Sequence, residues 1–262
     1  MKLSTHNPGI IINNLTKKYG EFIAVDNISI KVNRGEIFGF LGPNGAGKTT
    51  TIKILAGLLK PDQGEIFING HDIVEEPEKC KFNTGHIPDR PFIYEKLTGN
   101  EFLRFIASLY NLPAKIFNKN VDYLLSLFDL LEWKDHLIES YSHGMRQKLI
   151  MTSVFMLETP TIIVDEPMVG LDPKSAKIVK ELFKKYASNG GSIFLSTHSL
   201  EIAEELCNEI AIILNGKIRT IGNMDDLRKE AHLHSSDLEE VFLELTGTQD
   251  LKDVILALQN KT

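Results

Sequence analysis

A chain of 262 residues, 42% hydrophobic and 24% charged, has room for one large α/β domain or for a domain carrying a sizeable insertion. The formal net charge is −6 and no basic stripe runs along the chain; Lys17–Lys18 and Lys184–Lys185 read as solvated faces, so no nucleic-acid partner is expected. No apolar run approaches the roughly 20 residues that cross a bilayer, the N-terminal stretch lacks a leader-like apolar segment, and Cys80 and Cys207 form no C-x-x-C pair and read as reduced thiols.

Ile10 to Tyr19 opens with an apolar triplet and ends Lys-Lys-Tyr-Gly, a strand running into a turn. Tyr19 is either an ordinary core or surface aromatic or a platform on which a base can stack. Val25 to Val32 alternates apolar and polar residues, as a strand with one buried face does. The turn at Arg34-Gly35 leads into an apolar run ending at Leu41.

The next residues read G-P-N-G-A-G-K-T-T, from Gly42 to Thr50, and contain the pattern G-x-x-x-x-G-K-S/T. Each position has a physical task. Gly42, Gly45 and Gly47 let backbone N–H groups turn inward around phosphates, with Pro43, Asn44 and Ala46 completing the loop. Lys48 reaches the β- and γ-phosphates, and the Thr49 hydroxyl is a ligand for Mg²⁺. A helix-forming run begins at Lys48, so its N-terminal dipole adds favourable charge at the same place. The strand before and the helix after make nucleotide binding far more specific than a glycine-rich turn alone.

Beyond this helix, Lys60 to Gly64 is a break and Glu65 to Gly70 a short strand. His71 to Phe82 is polar and holds a short helix; Gly85 to Arg90 is a strand end opening into a loop, where Pro88 and Pro91 disfavour helix. Helical character starts at Thr98, which with Glu101 forms a capping box. Further helices are expected over 121–131 and 142–157, which places a helical insertion at 91–158. Thr161 to Val164 is a buried strand followed by Asp165 and Glu166; Asp172 and Pro173 open a helix. Ser192 to Ser196 is another short strand, followed by Thr197, His198, Ser199 and a helix through Cys207. Ile210 to Ile221, with Asn-Gly at its centre, is a hairpin. Leu238, Val241, Phe242 and Leu245 mark a late amphipathic helix with Ser236 as a possible cap, and 250–260 suits one more.

An apolar strand ending in Asp165 sets a carboxylate beside the phosphates and near Mg²⁺, and Glu166 is within reach of a water as general base. The bland alternative is a pair of solvated acids. His198 ends a second apolar strand, where open α/β sheets place ligands, and can contact the γ-phosphate or orient Glu166. Ser142 and Gly144 open a helix and form either a plain N-cap or an anion site.

Taken together, these motifs resemble the nucleotide-binding subunit of ATP-binding cassette (ABC) transporters across about residues 10–222. Tyr19 resembles the adenine-stacking aromatic, G-P-N-G-A-G-K-T-T the Walker A motif, T-I-I-V-D-E the Walker B motif, G-L-D the D-loop, and His198 the switch histidine. Y-S-H-G-M-R-Q resembles the signature L-S-G-G-Q, with His143 in place of its first Gly and Met145 in place of its Gln. Asp89 stands where the family has Gln or Glu; it is one methylene shorter than Glu, and the role the resemblance implies for it is Mg²⁺ contact with Thr49 and Asp165.

The resemblance implies an α/β P-loop NTPase (RecA-like) core with an antiparallel β subdomain and an inserted α-helical subdomain. The core and β subdomain would take 1–90 and 159–230, the helical subdomain with the signature 91–158, and a helical tail 231–262. It implies ATP and Mg²⁺ as ligands, and ATP hydrolysis with Lys48, Glu166 and His198 as catalytic residues. It also implies a head-to-tail pair with a second ATP-binding subunit, a homodimer in the simplest case, in which Ser142 and Gly144 serve the partner's nucleotide. The form of the signature and the V-F-L-E-L-T tail are most similar to cassettes serving ABC-2-type exporter permeases. The subunit would then sit in the cytoplasm, peripheral on the inner face of the cell membrane. A soluble cassette ATPase acting as an assembly scaffold is the alternative.

Overall fold

The computed structural model of the protein describes residues 8–233 and 237–246. β1 (Ile10–Tyr19) and β2 (Phe22–Val32) form an antiparallel hairpin pairing Ile10 with Val32 and Tyr19 with Phe22. β3 (Ile37–Leu41) leads through the glycine-rich loop into α1 (Lys48–Leu55). β4 (Gln63–Ile68) then pairs with the free edge of β1 and carries the two-residue β5 (His71–Asp72), giving a four-stranded antiparallel sheet in the order β2-β1-β4-β5.

After α2 (Pro77–Phe82), β6 (Thr84–Ile87) enters a second sheet and the chain leaves it for three helices, α3 (Gly99–Leu109), α4 (Ala114–Leu127) and α5 (His143–Phe155). It returns as β7 (Thr161–Asp165), followed by α6 (Pro173–Ser188), β8 (Ser192–Thr197), α7 (Leu200–Leu206), β9 (Glu209–Leu214) and β10 (Lys217–Gly222). The six strands lie in the order β10-β9-β3-β8-β7-β6, parallel throughout except for β10 at one edge. α8 (Met224–Glu230) and α9 (Leu238–Thr246) complete the described chain.

The central strands are apolar without alternation because both faces are covered. Successive side chains still point to opposite faces. Phe38, Phe40, Ile163 and Phe194 pack with Ile52 and Ile54 of α1 and with Ile10, Ile12 and Ile66 of the antiparallel sheet. Ile37, Ile162, Val164, Ile193 and Leu195 face the other way, onto a core shared with α3–α6. Leu41, Ile210 and Ile212 bury under α7, α8 and α9. Each fully buried side chain of this size contributes about 1.5–3 kcal/mol, so these three layers hold the strand ends in place.

Thr98 caps α3 in the expected box, its hydroxyl accepting from the Glu101 N–H while Glu101 bonds back to the Thr98 N–H. Three elements differ from the sequence reading. α4 starts at Ala114, a full turn or more before residue 121, because Pro113 supplies a preset φ at the helix entry and Phe117, Val121, Leu124 and Leu125 form one buried stripe. β5 occupies the start of the stretch read only as polar and helical. α8 went unanticipated; Asn223 caps it, accepting from the N–H groups of Asp225 and Asp226. The expected helix over 250–260 and the Ser236 cap lie outside the described residues. Among the described residues, no helix is long and apolar enough to cross a membrane.

Candidate active site

Three parallel strands end side by side. Leu41 of β3 lies in register with Thr197 of β8, and Asp165 of β7 with Ser196. The glycine-rich loop, the Asp165–Glu166 pair and His198 therefore emerge together at the C-terminal ends of these strands, although the loop lies more than a hundred residues before Asp165 in the chain.

The loop is fixed from below. The Ala46 side chain is buried, its N–H donates to the Pro43 carbonyl at 3.2 Å, and its carbonyl accepts from Gly216 N–H at 3.0 Å. Gly47 is left-handed, with φ at 112°, and a Cβ there would stand 2.5 Å from the Ala24 carbonyl, so only glycine fits. Lys48 is buried at the start of α1, and its Nζ donates to the carbonyls of Gly42 at 2.6 Å and Pro43 at 3.1 Å. Burial lowers its pKa, while the Glu166 and Asp165 carboxylates act in the opposite direction.

Asn44, Gly45, Gly47, Thr49 and Thr50 share a pocket of about 250 Å³ with Tyr19. Tyr19 is half exposed at the end of β1, and Lys17 Nζ lies 5.9 Å from its ring centre. Phe22, paired opposite Tyr19 across the hairpin, is a second aromatic on this wall that the sequence reading missed. The Tyr-Gly-Glu-Phe turn is the signal that would have found it.

Asp165 is 6% exposed, and burial raises its carboxyl pKa. Thr49, Asp89 and Asp165 line one end of a second cavity of about 590 Å³. A hydroxyl and two carboxylates are hard oxygen donors only, the chemistry that suits Mg²⁺ rather than a soft metal, so this set fits the cation.

Glu166 adopts a left-handed backbone with φ at 48°, and its N–H donates to the Ser196 carbonyl at 2.9 Å. Its two carboxylate oxygens have separate partners: His198 Nδ1 lies 2.7 Å from Oε1, and Thr197 Oγ1 donates to Oε2 at 3.1 Å. A carboxylate only accepts, so Nδ1 is the protonated nitrogen in this contact. Of the two roles considered for His198, the geometry here is that of orienting Glu166. The contribution of Thr197 was not legible, since no spacing rule links residues 31 apart across two strands.

Ser142 and Gly144 sit at the start of α5, outside the pocket around Lys48. Ser142 Oγ accepts from Met145 N–H at 3.3 Å, an N-cap bond. Gly144 packs so tightly against the loop before α6 that a Cβ would lie 2.7 Å from the Gly170 carbonyl. Behind this contact, Lys148 pairs with Asp172 at 2.9 Å, and Asp172 in turn caps α6 through Ser175 N–H at 2.9 Å. Hydrogen bonds from Ser175 and Lys148 hold the Asp172 carboxyl well below the usual carboxylate range.

A glycine loop opening a helix beside a parallel sheet, with carboxylates at the end of a nearby strand, defines a P-loop nucleoside triphosphatase. Residues 25–169 match the family described as ABC transporter. The ABC-type transporter ATP-binding protein EcsA of Bacillus subtilis (strain 168) is 34% identical over 235 residues, covering 90% of this chain and 95% of that protein. The daunorubicin resistance ATP-binding protein DrrA3 of Streptomyces coeruleorubidus is 32% identical over 253 residues, covering 97% and 79%. A solved structure of the ATP-binding subunit of an ABC transporter superposes with a TM-score of 0.88 at 35% identity, covering 90% of this chain and 98% of that one. The chain belongs to the ABC transporter ATP-binding family; it binds ATP and is an ATPase.

Proposed function

We propose that this ATPase powers export through a separate ABC-2-type membrane permease, with Glu166 as the base that activates water. The observation that carries the reading is the double anchoring of the Glu166 carboxylate at the strand ends that hold Lys48 and Asp165. Tyr19 stacks on adenine, the N–H groups of residues 42–50 cradle the phosphates, and Lys48 exchanges its loop carbonyls for phosphate oxygens. Thr49 and Asp165, with Asp89 beside them, hold Mg²⁺. When bound, that ion supplies charge neutralisation between the β- and γ-phosphates. Glu166 takes the proton of the attacking water, and His198 positions the carboxylate and meets the γ-phosphate. Residues 1–90 and 159–230 form the nucleotide core with its β subdomain, 91–158 the helical part and 231–262 the tail.

Ser142 and Gly144 lie outside the Lys48 pocket, which supports a second copy of the subunit supplying them in a head-to-tail homodimer. The N-terminus of α5 would face the partner's γ-phosphate. The permease would dock over the 590 Å³ cavity, where Phe92 is 90% exposed beside Tyr94 and Phe105. Exposed aromatics around an apolar groove suit a partner helix. This would place the subunit on the inner face of the membrane. Similarity to a daunorubicin resistance protein over nearly the whole chain favours outward transport.

The test is co-purification in mild detergent followed by reconstitution. A multi-span partner should be captured, capture should fall when Phe92 and Tyr94 are both changed to Ser, and ATP should drive efflux from vesicles. Recovery of soluble partners alone would favour the scaffold alternative.

A further inference from the structure

Glu166 is held by two side chains of unlike character. His198 is 66% exposed at its side chain and can swing towards a nucleotide. Thr197 is 1% exposed, locked in β8 beside Leu41 of β3.

The hydroxyl of Thr197 has a fixed direction. Ser199 N–H donates to Thr197 Oγ1 at 3.0 Å, which takes one lone pair. The Thr197 proton then has one nearby acceptor that accounts for the 3.1 Å contact, Oε2 of Glu166. The same Ser199 caps α7 through Ile202 N–H at 3.4 Å, so the donor is part of the strand-to-helix turn itself. The backbone of Glu166 needs such restraint. A non-glycine residue in the left-handed region is held there only where the surroundings over-determine it.

We propose that Thr197 is a positioning residue for ATP hydrolysis: its buried hydroxyl fixes the Glu166 carboxylate when His198 turns from Oε1 to the γ-phosphate. The histidine contact is the exchangeable one and the threonine contact the permanent one. The inference rests on the reading of Glu166 as the base. Thr197 touches neither nucleotide nor water in this scheme and acts only through Glu166.

The experiment measures steady-state ATP turnover and ATP binding for Thr197→Val, Thr197→Ser, Glu166→Gln and the double variant Thr197→Val/Glu166→Gln. Valine keeps the shape and deletes the donor, whereas serine keeps the donor. A lost hydrogen bond to a charged group corresponds to a fall of about 10–100-fold in kcat for Thr197→Val. KM for ATP should stay within about twofold and Thr197→Ser within about threefold of the wild-type rate. On the Glu166→Gln background the valine change should cost nothing more, because both act on one group. Wild-type turnover in Thr197→Val would overturn the proposal. So would equal loss in Thr197→Ser, or a valine effect that adds in full to Glu166→Gln. If Thr197→Val does not fold, shown by loss of its thermal transition, Thr197→Ala takes its place with the same expectations. Full activity in Glu166→Gln would instead overturn the assignment of the base.

Discussion

Gln147 Nε2 donates to the Pro88 carbonyl at 3.1 Å, tying the helix that opens with Ser142 to the loop that carries Asp89. One residue earlier, Arg146 pairs with Glu95 at the far end of that loop. Consecutive residues of α5 thus clip both ends of the segment bearing the exposed Phe92 and Tyr94. These two contacts are the route by which a push on that segment would reach α5.

Loosening the clips should uncouple without disabling. Gln147 is fully buried, and its Oε1 has no hydrogen-bond partner among the described residues. Gln147→Leu removes this orphan together with the donor, so stability should change by less than about 1.5 kcal/mol. ATP affinity should stay within about twofold. The stimulation of turnover by the permease should fall about two- to tenfold, the equivalent of one hydrogen bond. Arg146→Ala should act in the same direction. Comparing ATPase rates with and without the permease in lipid vesicles checks this, and undiminished stimulation in both variants would sink the idea.

Glu166→Gln should retain ATP binding and lower turnover by about 10²–10⁴-fold, the usual worth of a general base. The amide still accepts from Thr197 and keeps its place. Gel filtration with ATP and Mg²⁺ should show a stable dimer for this variant and a transient one for the wild type. His198→Ala should lose less turnover if Thr197 alone can hold the carboxylate. A Glu166→Gln protein that turns over at the native rate would remove Glu166 from this role.

Local signals were legible and side-chain meetings across strands were not. The Thr98–Glu101 box, the Asp172 cap and the glycine loop each lie within a few residues, where spacing fixes geometry. The apolar run Ile162, Ile163 and Val164 before Asp165 marked a buried strand because both its faces are covered. α4 was read short because Asn118, Lys119 and Asn120 interrupt the apolar pattern on its solvent side. α8 buries only Leu227, too little periodicity to notice, though the Asn223 cap and the Asp225–Asp226 first turn were local signs. The Thr197–Glu166 and Gln147–Pro88 contacts follow from strand register and helix packing, which no single segment encodes.

Asp172 joins the signature helix to α6, and its contribution has a defined pH window. Its carboxyl is held below its ordinary value of 3.8, with Ser175 as the leading cause and Lys148 next. A depressed carboxyl pKa stabilises the fold fully above the unfolded-state value and loses that contribution as pH falls through the folded-state value. Asp172→Asn keeps a competent cap and loses the Lys148 ion pair, so it should lower Tm slightly at pH 7, with the gap narrowing only as pH falls below the ordinary value of 3.8 towards the depressed folded-state value. Asp172→Ala also loses the cap, a further ~1 kcal/mol. Thermal melts from pH 2 to 7 test this; a wild type–Asn gap that widens towards low pH would contradict it.

Lys48 links nucleotide affinity to a cost in the free protein. Burial depresses its pKa below the unfolded value of 10.5, so the folded state binds its proton less tightly than the unfolded chain does. The sign is opposite to that of Asp172: the burdened form is the charged one, present at neutral pH and relieved only as pH rises through the folded-state value. Lys48→Met keeps much of the length and removes the charge. Without nucleotide its Tm at pH 7 should equal or exceed that of the wild type, because the two loop carbonyls it leaves can be satisfied by water. ATP should bind about 10–100-fold more weakly, the loss expected for charge-assisted bonds to phosphate. The wild type gains about 2.7 kcal/mol of stability at a ligand concentration of 100 Kd. About half or more of that gain should vanish in the variant at the same ATP concentration. Differential scanning fluorimetry with and without ATP and Mg²⁺ reads both effects at once, and a wild-type ATP shift in Lys48→Met would remove Lys48 from the phosphate site.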